Sequence, residues 1–145
     1  MKDLKTMMSS EDMDWETPQD FFDELNKEFN FQLDVCSDGK NYKVLPTYTK
    51  LNNAFDNNWN NDSCGGWKWM NPPYGREIGK WVERASRERG VVALLPARTD
   101  TKYFHKYIYK QPNTEIRFIK GRLKFKRKQK ISGSAPFPSM IVIFK

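Results

Sequence analysis

With 145 residues, 38% of them hydrophobic, 14% aromatic and 30% charged, the chain has the size and make-up of one globular domain with an ordinary core. No apolar run approaches the roughly 18 residues that suggest a membrane span, and the N-terminus lacks the apolar stretch and small-residue cleavage site of a secretory signal. Two cysteines, Cys36 and Cys64, with a single His105 make a poor disulfide scaffold and a poor zinc set. The expectation is a cytoplasmic protein with reduced thiols and no structural metal. A net charge of +7 hides a gradient: residues 1–62 carry 6 Lys/Arg against 13 Asp/Glu, and residues 63–145 carry 19 against 5. Such asymmetry points to a nucleic-acid partner.

Residues 1–13 are polar with scattered methionines and no sustained period, so they read as a flexible tail before a single domain over 14–145. "TPQDFFDELNKEF" then opens a helix, with Thr17 expected as N-cap, Pro18 at the first helical position, and Phe22, Leu25 and Phe29 along one face. "FQLDVCS" reads as a short buried strand that delivers Asp34 and Cys36 near its carboxyl end. The next thirty residues are rich in Asn, Asp and Gly, which predicts a long loop with only short regular pieces. "GWKWM" is a strand, and "REIGKWVERASRER" a helix with Ile78, Trp81, Val82 and Ala85 on one face and Gly90 just past its end. "VVALLP" is a strand buried on both faces. A helix beginning near Thr99 would line up Tyr103, Phe104, Tyr107 and Ile108. "TEIRFIKG", "RLKFKRK" and "SMIVIFK" close the chain as strands. Strand and helix alternate before strands run together, which predicts an α/β fold with a mostly parallel sheet and antiparallel C-terminal strands.

On that plan Asp34, Asn71 and Arg98 all fall just beyond strand ends, at the carboxyl edge of an open sheet where ligands bind. "NPPYG", residues 71–75, is unusual there. Proline pairs are common turn makers, but this set also fits a chemical task. An amide or aromatic amine is a poor nucleophile because its lone pair is delocalised, and acceptors on its two N–H groups turn that lone pair toward an electrophile. The Asn71 side-chain oxygen and the Pro72 carbonyl are two such acceptors, held in fixed relation by the locked φ of proline. Pro73 stiffens the turn, Tyr74 offers a planar face to a base, and Gly75 permits close approach to the backbone. Further on, "RFIKGRLKFKRKQK" from Arg117 to Lys130 carries eight positive charges and no negative one, the mark of a polyanion-binding surface.

The chain resembles the phage DNA adenine methyltransferase (Dam) family, amino-methyltransferases that use S-adenosylmethionine and carry an Asn/Asp-Pro-Pro-Tyr/Phe motif. The likeness rests on "DWETPQDFFDEL", "FQLDVCS", "WMNPPYG", "LLPARTDTKYFH", "GRLKF" and "APFPSMIVIF", in that order from about Trp15 to the end. It implies a single-domain Rossmann-like methyltransferase fold and direct transfer of a methyl group to the 6-amino group of adenine in DNA, with no metal and no covalent enzyme intermediate. Carried onto matching positions, Asn71 and Pro72 would bind the exocyclic amine, Pro73 would keep the turn rigid, and Tyr74 would stack on a base flipped from the duplex. Trp15, Thr17, Pro18 and Phe22 match the family's N-terminal cofactor segment, and Asp34, Val35 and Cys36 its first-strand segment. Asp56 is a further candidate, for the adenosine end. The chain departs from many methyltransferases after the first strand, where "DVCSDG" has only a late Gly39 in place of a Gly-x-Gly turn. A phage or prophage origin belongs to the same implication.

Candidate DNA contacts are Arg98, Arg122, Lys124, Lys126, Arg127 and Lys128. With no separate recognition domain of usual size visible, phosphate contacts would dominate and sequence specificity would be relaxed. The same chemistry serves adenine in RNA or glutamine in proteins, and a non-catalytic DNA-binding regulator or anti-restriction factor could keep the fold. Plain structural roles compete for single residues: Trp15 and Phe22 as core, Asp34 as a cap or charge partner, Arg98 in an ion pair with Asp100.

Overall fold

A continuous apolar run, residues 91–96, forms the axis on which the other elements assemble. The structure, a computed structural model, describes residues 15–127, 130–131 and 135–145. In chain order its elements are β1 (Trp15–Glu16), α1 (Gln19–Phe29), β2 (Leu33–Asp34), a 3-10 turn (Ala54–Asp56), α2 (Trp59–Asp62), β3 (Lys68–Met70), α3 (Ile78–Glu88), β4 (Val91–Pro96), a π-helical turn (Phe104–Ile108), β5 (Thr114–Phe118), β6 (Lys126–Arg127), β7 (Lys130–Ile131) and β8 (Ser139–Phe144). No described helix is long and apolar enough to cross a membrane.

The main sheet has the order β2-β3-β4-β8-β5. β2, β3 and β4 pair in parallel, while β8 pairs antiparallel with both β4 and β5. β5 therefore runs in the same direction as β2 to β4, and β8 alone is reversed. The expected antiparallel finish is thus one strand slotted between two parallel ones. All six residues of β8 are buried, like those of β4, so both suit interior places; β5 carries the half-buried ion pair Glu115–Arg117 and stays at the edge.

Successive residues of a strand face opposite sides, and β4 divides the core accordingly. Val91, Ala93 and Leu95 join a cluster with Val82 and Ala85 of α3 and with Phe104 and Ile108 of the π turn. Val92 and Leu94 join Phe22 of α1, Phe31, Trp69, Phe125 and Phe137 on the other side. At the end of α3, Arg89 and Gly90 both adopt positive φ (61° and 66°). A Cβ at Gly90 would come within 3.2 Å of the Lys68 ammonium, which donates to the Arg89 carbonyl, so glycine suits this turn.

Three elements differ from the sequence expectation. Helix α1 begins at Gln19 with Pro18 at its N-cap and no side chain capping it; Thr17, expected there, is engaged elsewhere. The segment after Thr99 holds a five-residue π turn in place of a regular helix, and its entry is set by Thr101, whose hydroxyl accepts the Phe104 N–H at 3.3 Å. The strand expected in "RLKFKRK" lies outside the main sheet: β6 pairs with β1 and β7 in a separate three-stranded ribbon, Trp15 opposite Arg127 and Glu16 opposite Lys126. β6 itself is two cations, Lys126 and Arg127, with no apolar residue to offer a sheet interior. The Asn-rich loop has its short regular pieces, with Asn53 capping the 3-10 turn and Asn58 capping α2.

Candidate active site

Parallel pairing of β2, β3 and β4 brings their carboxyl ends to one edge, with Asp34 level with Trp69 and Met70 level with Ala93. Asn71 follows β3 directly. Its Nδ2 donates to the Trp15 carbonyl at 2.5 Å and to the Thr17 hydroxyl at 3.0 Å. A backbone carbonyl can only accept, so this contact fixes which end of the amide is nitrogen. The other end, Oδ1, is buried without a hydrogen-bond partner among the described residues. An unpaired buried carbonyl costs about 1–3 kcal/mol, so this oxygen, like the Tyr103 and Ser139 hydroxyls, is an acceptor open to an ordered water or a ligand. Thr17, 3% exposed, thus holds the amide of Asn71 instead of capping α1.

Tyr74, also 3% exposed, donates its hydroxyl to the Leu94 carbonyl at 2.8 Å. Its ring meets Phe137 at 5.6 Å and Phe125 at 6.3 Å, both edge-on, and Trp15 meets the same two rings at 5.3 and 5.6 Å. The open stacking face expected of Tyr74 is therefore covered in this conformation. Burial pushes the Tyr74 phenol well above its usual range, with smaller contributions from nearby Tyr103 and Cys36, so it stays a neutral donor.

The candidate cofactor residues divide into two groups. Thr17 and Pro18 line a cleft of about 450 Å³ together with Gln19, Lys40, Lys43 and Lys124, and Trp15 borders Asn71 through its carbonyl. By contrast, Phe22 is a core residue, packed against Trp69 at 5.2 Å and Phe31 at 5.5 Å, and Val35 is fully buried in the opposite cluster. Cys36 is a half-buried cysteine outside any disulfide. The Asp34 carboxylate accepts the backbone N–H groups of Cys36 at 3.0 Å and Lys43 at 2.9 Å, which shapes the loop after β2. Burial raises its pKa to about 7, against the lowering effect of those two hydrogen bonds. Asp56 is exposed; Arg84 of α3 grips the carbonyls on either side of it, Phe55 at 3.2 Å and Asn57 at 2.6 Å.

Among the candidate DNA contacts, Arg98 lies with its guanidinium 5.9 Å from the Phe137 ring, beside the aromatic cluster over Tyr74. Arg122 and Lys124 are exposed. Lys126 and Arg127 are placed only by their backbone in β6, and Lys128 lies outside the described residues. One cation of the basic stretch is neutralised within the fold: Arg117 holds Glu28 of α1 through two 2.7 Å bonds and pairs with Glu115. No group of three or more His, Cys, Asp or Glu among the described residues is arranged to hold a metal ion.

Sequence reasoning missed the grip of Thr17 on Asn71, the cover that Phe125 and Phe137 place over Tyr74, and the lysines at 40 and 43. Phe137 did carry a signal, as an apolar residue between two prolines that no helical or strand face claims, whereas Phe125 was hidden in the expected strand "RLKFKRK". Nothing local marks Thr17, whose partner is 54 positions away.

A mixed α/β sheet with an orphaned amide oxygen and a buried tyrosine at its carboxyl edge has the outline of a methyltransferase. The family model for DNA N-6-adenine-methyltransferase (Dam) matches residues 4–145, and the chain belongs to that family. A DNA N-6-adenine-methyltransferase of Haemophilus phage HP1 (strain HP1c1) is 29% identical over 157 residues, an alignment that takes in 100% of this chain and 85% of the relative.

Proposed function

We propose that this protein methylates the exocyclic 6-amino group of adenine in DNA, with S-adenosylmethionine as methyl donor. The observation that carries the reading is the buried, unpartnered Oδ1 of Asn71, an acceptor already oriented by two bonds from its own nitrogen. Family membership and the printed name of the phage HP1 relative support adenine and DNA over the other flat amines that such a motif can serve.

The cleft beside Thr17 suits the cofactor. Its volume of about 450 Å³ falls within the ~300–1,000 Å³ usual for small-molecule sites, and its lining carries both signs of charge, Lys40, Lys43 and Lys124 with Glu16 and Asp20, which suits a zwitterionic methionine end. S-adenosylmethionine supplies an electrophilic methyl group on a sulfonium. Trp15, Thr17 and Pro18 would border it, and Asp56 remains a candidate for its adenosine end. Phe22 and Val35 would support the site from the core, with Asp34 and Cys36 shaping the loop after β2.

In the substrate complex, Asn71 Oδ1 and the Pro72 carbonyl accept the two hydrogens of the adenine amine and stabilise the positive charge that develops on its nitrogen. Pro73 keeps the two acceptors in register. Tyr74 stacks on the base once Phe125 or Phe137 swings away from its ring. Extraction of the base costs a few kcal/mol, which stacking and hydrogen bonding offset. Arg98, Arg122, Lys124, Lys126, Arg127 and Lys128 contact phosphates, so affinity is salt-dependent and specificity relaxed within a single domain over residues 14–145.

Transfer of labelled methyl from S-adenosylmethionine to unmethylated DNA, with nucleoside analysis of the digest, tests the reading. N6-methyladenine is the expected product, and Asn71→Ala is expected to lower its formation by at least about 100-fold, as for loss of an oriented charge-stabilising group. Label in RNA or protein but not in DNA would overturn the substrate. Wild-type turnover by Asn71→Ala would overturn the mechanism.

A further inference from the structure

A second cleft, of about 410 Å³, opens between α3 and the π turn. Its lining takes Arg76 and Lys80 from the α3 segment and Lys102, Tyr103, Lys106 and Tyr107 from the segment of the π turn. Four cations face a single carboxylate, Glu83, which is already held by the Tyr107 hydroxyl at 2.6 Å and faces Arg87 at 3.7 Å. Lys80 pairs with Glu77 at 2.9 Å, and Lys106 lies 5.3 Å from the Tyr107 ring. Arg76 and Lys102 have no ion-pair partner among the described residues, and both are exposed. The cleft is therefore positive, and its two unopposed charges come from different segments of the chain, the approach to α3 and the approach to the π turn.

Its position ties it to the active site. Arg76 follows Tyr74 by two residues, Ile78 packs against both core clusters, and Tyr103 is close enough to the Tyr74 phenol to shift its titration. We propose that this cleft binds the sugar-phosphate backbone of DNA next to the target nucleotide, with Arg76 and Lys102 each contacting a phosphate. The inference rests on the DNA reading above and adds a contact surface outside the basic stretch at Arg117–Lys130. A phosphodiester carries one negative charge per nucleotide, and it would restore to these two residues the partners that the fold withholds.

Salt dependence separates a phosphate contact from a general charge effect. Each neutralised phosphate of a duplex adds about 0.9 to the slope of log affinity against log salt. Arg76→Gln combined with Lys102→Gln is expected to lower that slope by about 1.8, read by fluorescence anisotropy on a short unmethylated duplex across a potassium chloride series. Lys27→Gln combined with Lys50→Gln removes the same net charge from residues that line neither cleft and is expected to change the slope far less. Cofactor binding, measured by calorimetry with S-adenosylmethionine alone, is expected to match the wild type in both pairs, which shows that the fold is intact. Equal slopes for the two pairs, or an unchanged slope in the cleft pair, would overturn the proposal while the DNA reading stands. A wild-type chain that neither binds nor methylates duplex DNA would overturn both.

Discussion

Asn71→Asp probes the site most sharply, because it keeps the shape of the side chain while replacing the donor nitrogen by oxygen and adding a negative charge that protonation removes. In the wild type, the nitrogen of Asn71 makes both internal bonds, to the Trp15 carbonyl and the Thr17 hydroxyl. A carboxylate there has no hydrogen for the Trp15 carbonyl and sets oxygen against oxygen at a spacing of 2.5 Å in the parent. Each lost bond is worth about 0.5–1.5 kcal/mol, and a stranded buried acceptor costs about 1–3 kcal/mol. The side chain escapes by rotating, and the acceptor for the substrate amine rotates with it. A loss on the order of 2–4 kcal/mol in the transition state corresponds to a fall in kcat of roughly 30- to 700-fold, at about 1.4 kcal/mol per tenfold. The assay is single-turnover methylation of DNA between pH 5.5 and 8. Protonation of the substituted carboxyl restores a donor toward Trp15, so the ratio of variant to wild-type rate is expected to rise as pH falls. The motif of the wider family admits Asp at this position, so the loss is attributable to the Trp15 contact in this chain. A variant with wild-type kcat at pH 8 would refute the argument that this contact orients the acceptor.

Two further outcomes follow from the same geometry. Thr17→Val is expected to lower kcat by about 2- to 10-fold, the worth of one hydrogen bond, with Thr17→Ser restoring it; a fall in calorimetric affinity for S-adenosylmethionine with kcat unchanged would instead make Thr17 a cofactor contact. Asp34 has a folded pKa of about 7 against an ordinary 3.8, so the folded chain retains a proton that the unfolded chain releases. Its contribution to stability is expected to fall as pH rises from about 4 to 7, with the full loss present above pH 7. Urea midpoints at pH 5 and pH 8 are expected to show this slope in the wild type and to lose it in Asp34→Asn; a variant that keeps the whole slope would place the effect elsewhere.

Periodicity and run length were sufficient for the central elements. Residues 91–96 could only be an interior strand, and the apolar spacing of α1 and α3 already named the faces they bury. The Asn71-to-Tyr74 set was legible as chemistry because its acceptors are neighbours in the chain, and the proline between them fixes their relation without help from the rest of the fold. The Asn-rich loop was legible only as a loop, since the groups that hold it are Arg84 of α3 and its own capping asparagines.

What lay beyond the sequence was every relation between distant segments. "SMIVIF" is apolar enough for any interior position, and only competition with the charged edge strand β5 placed it beside β4. Phe22 was equally suited to ligand or core until Trp69 and Phe31 closed around it. Composition showed that the carboxyl half is basic, but only the fold showed that Arg117 is neutralised by Glu28 and that Arg76 and Lys102 line one cleft. The orientation of Asn71 belongs to the same group. Its nitrogen is held by Trp15, 56 residues earlier in the chain, and a side chain cannot express in its local sequence a hydrogen bond that exists only once β1 is laid alongside the end of β3.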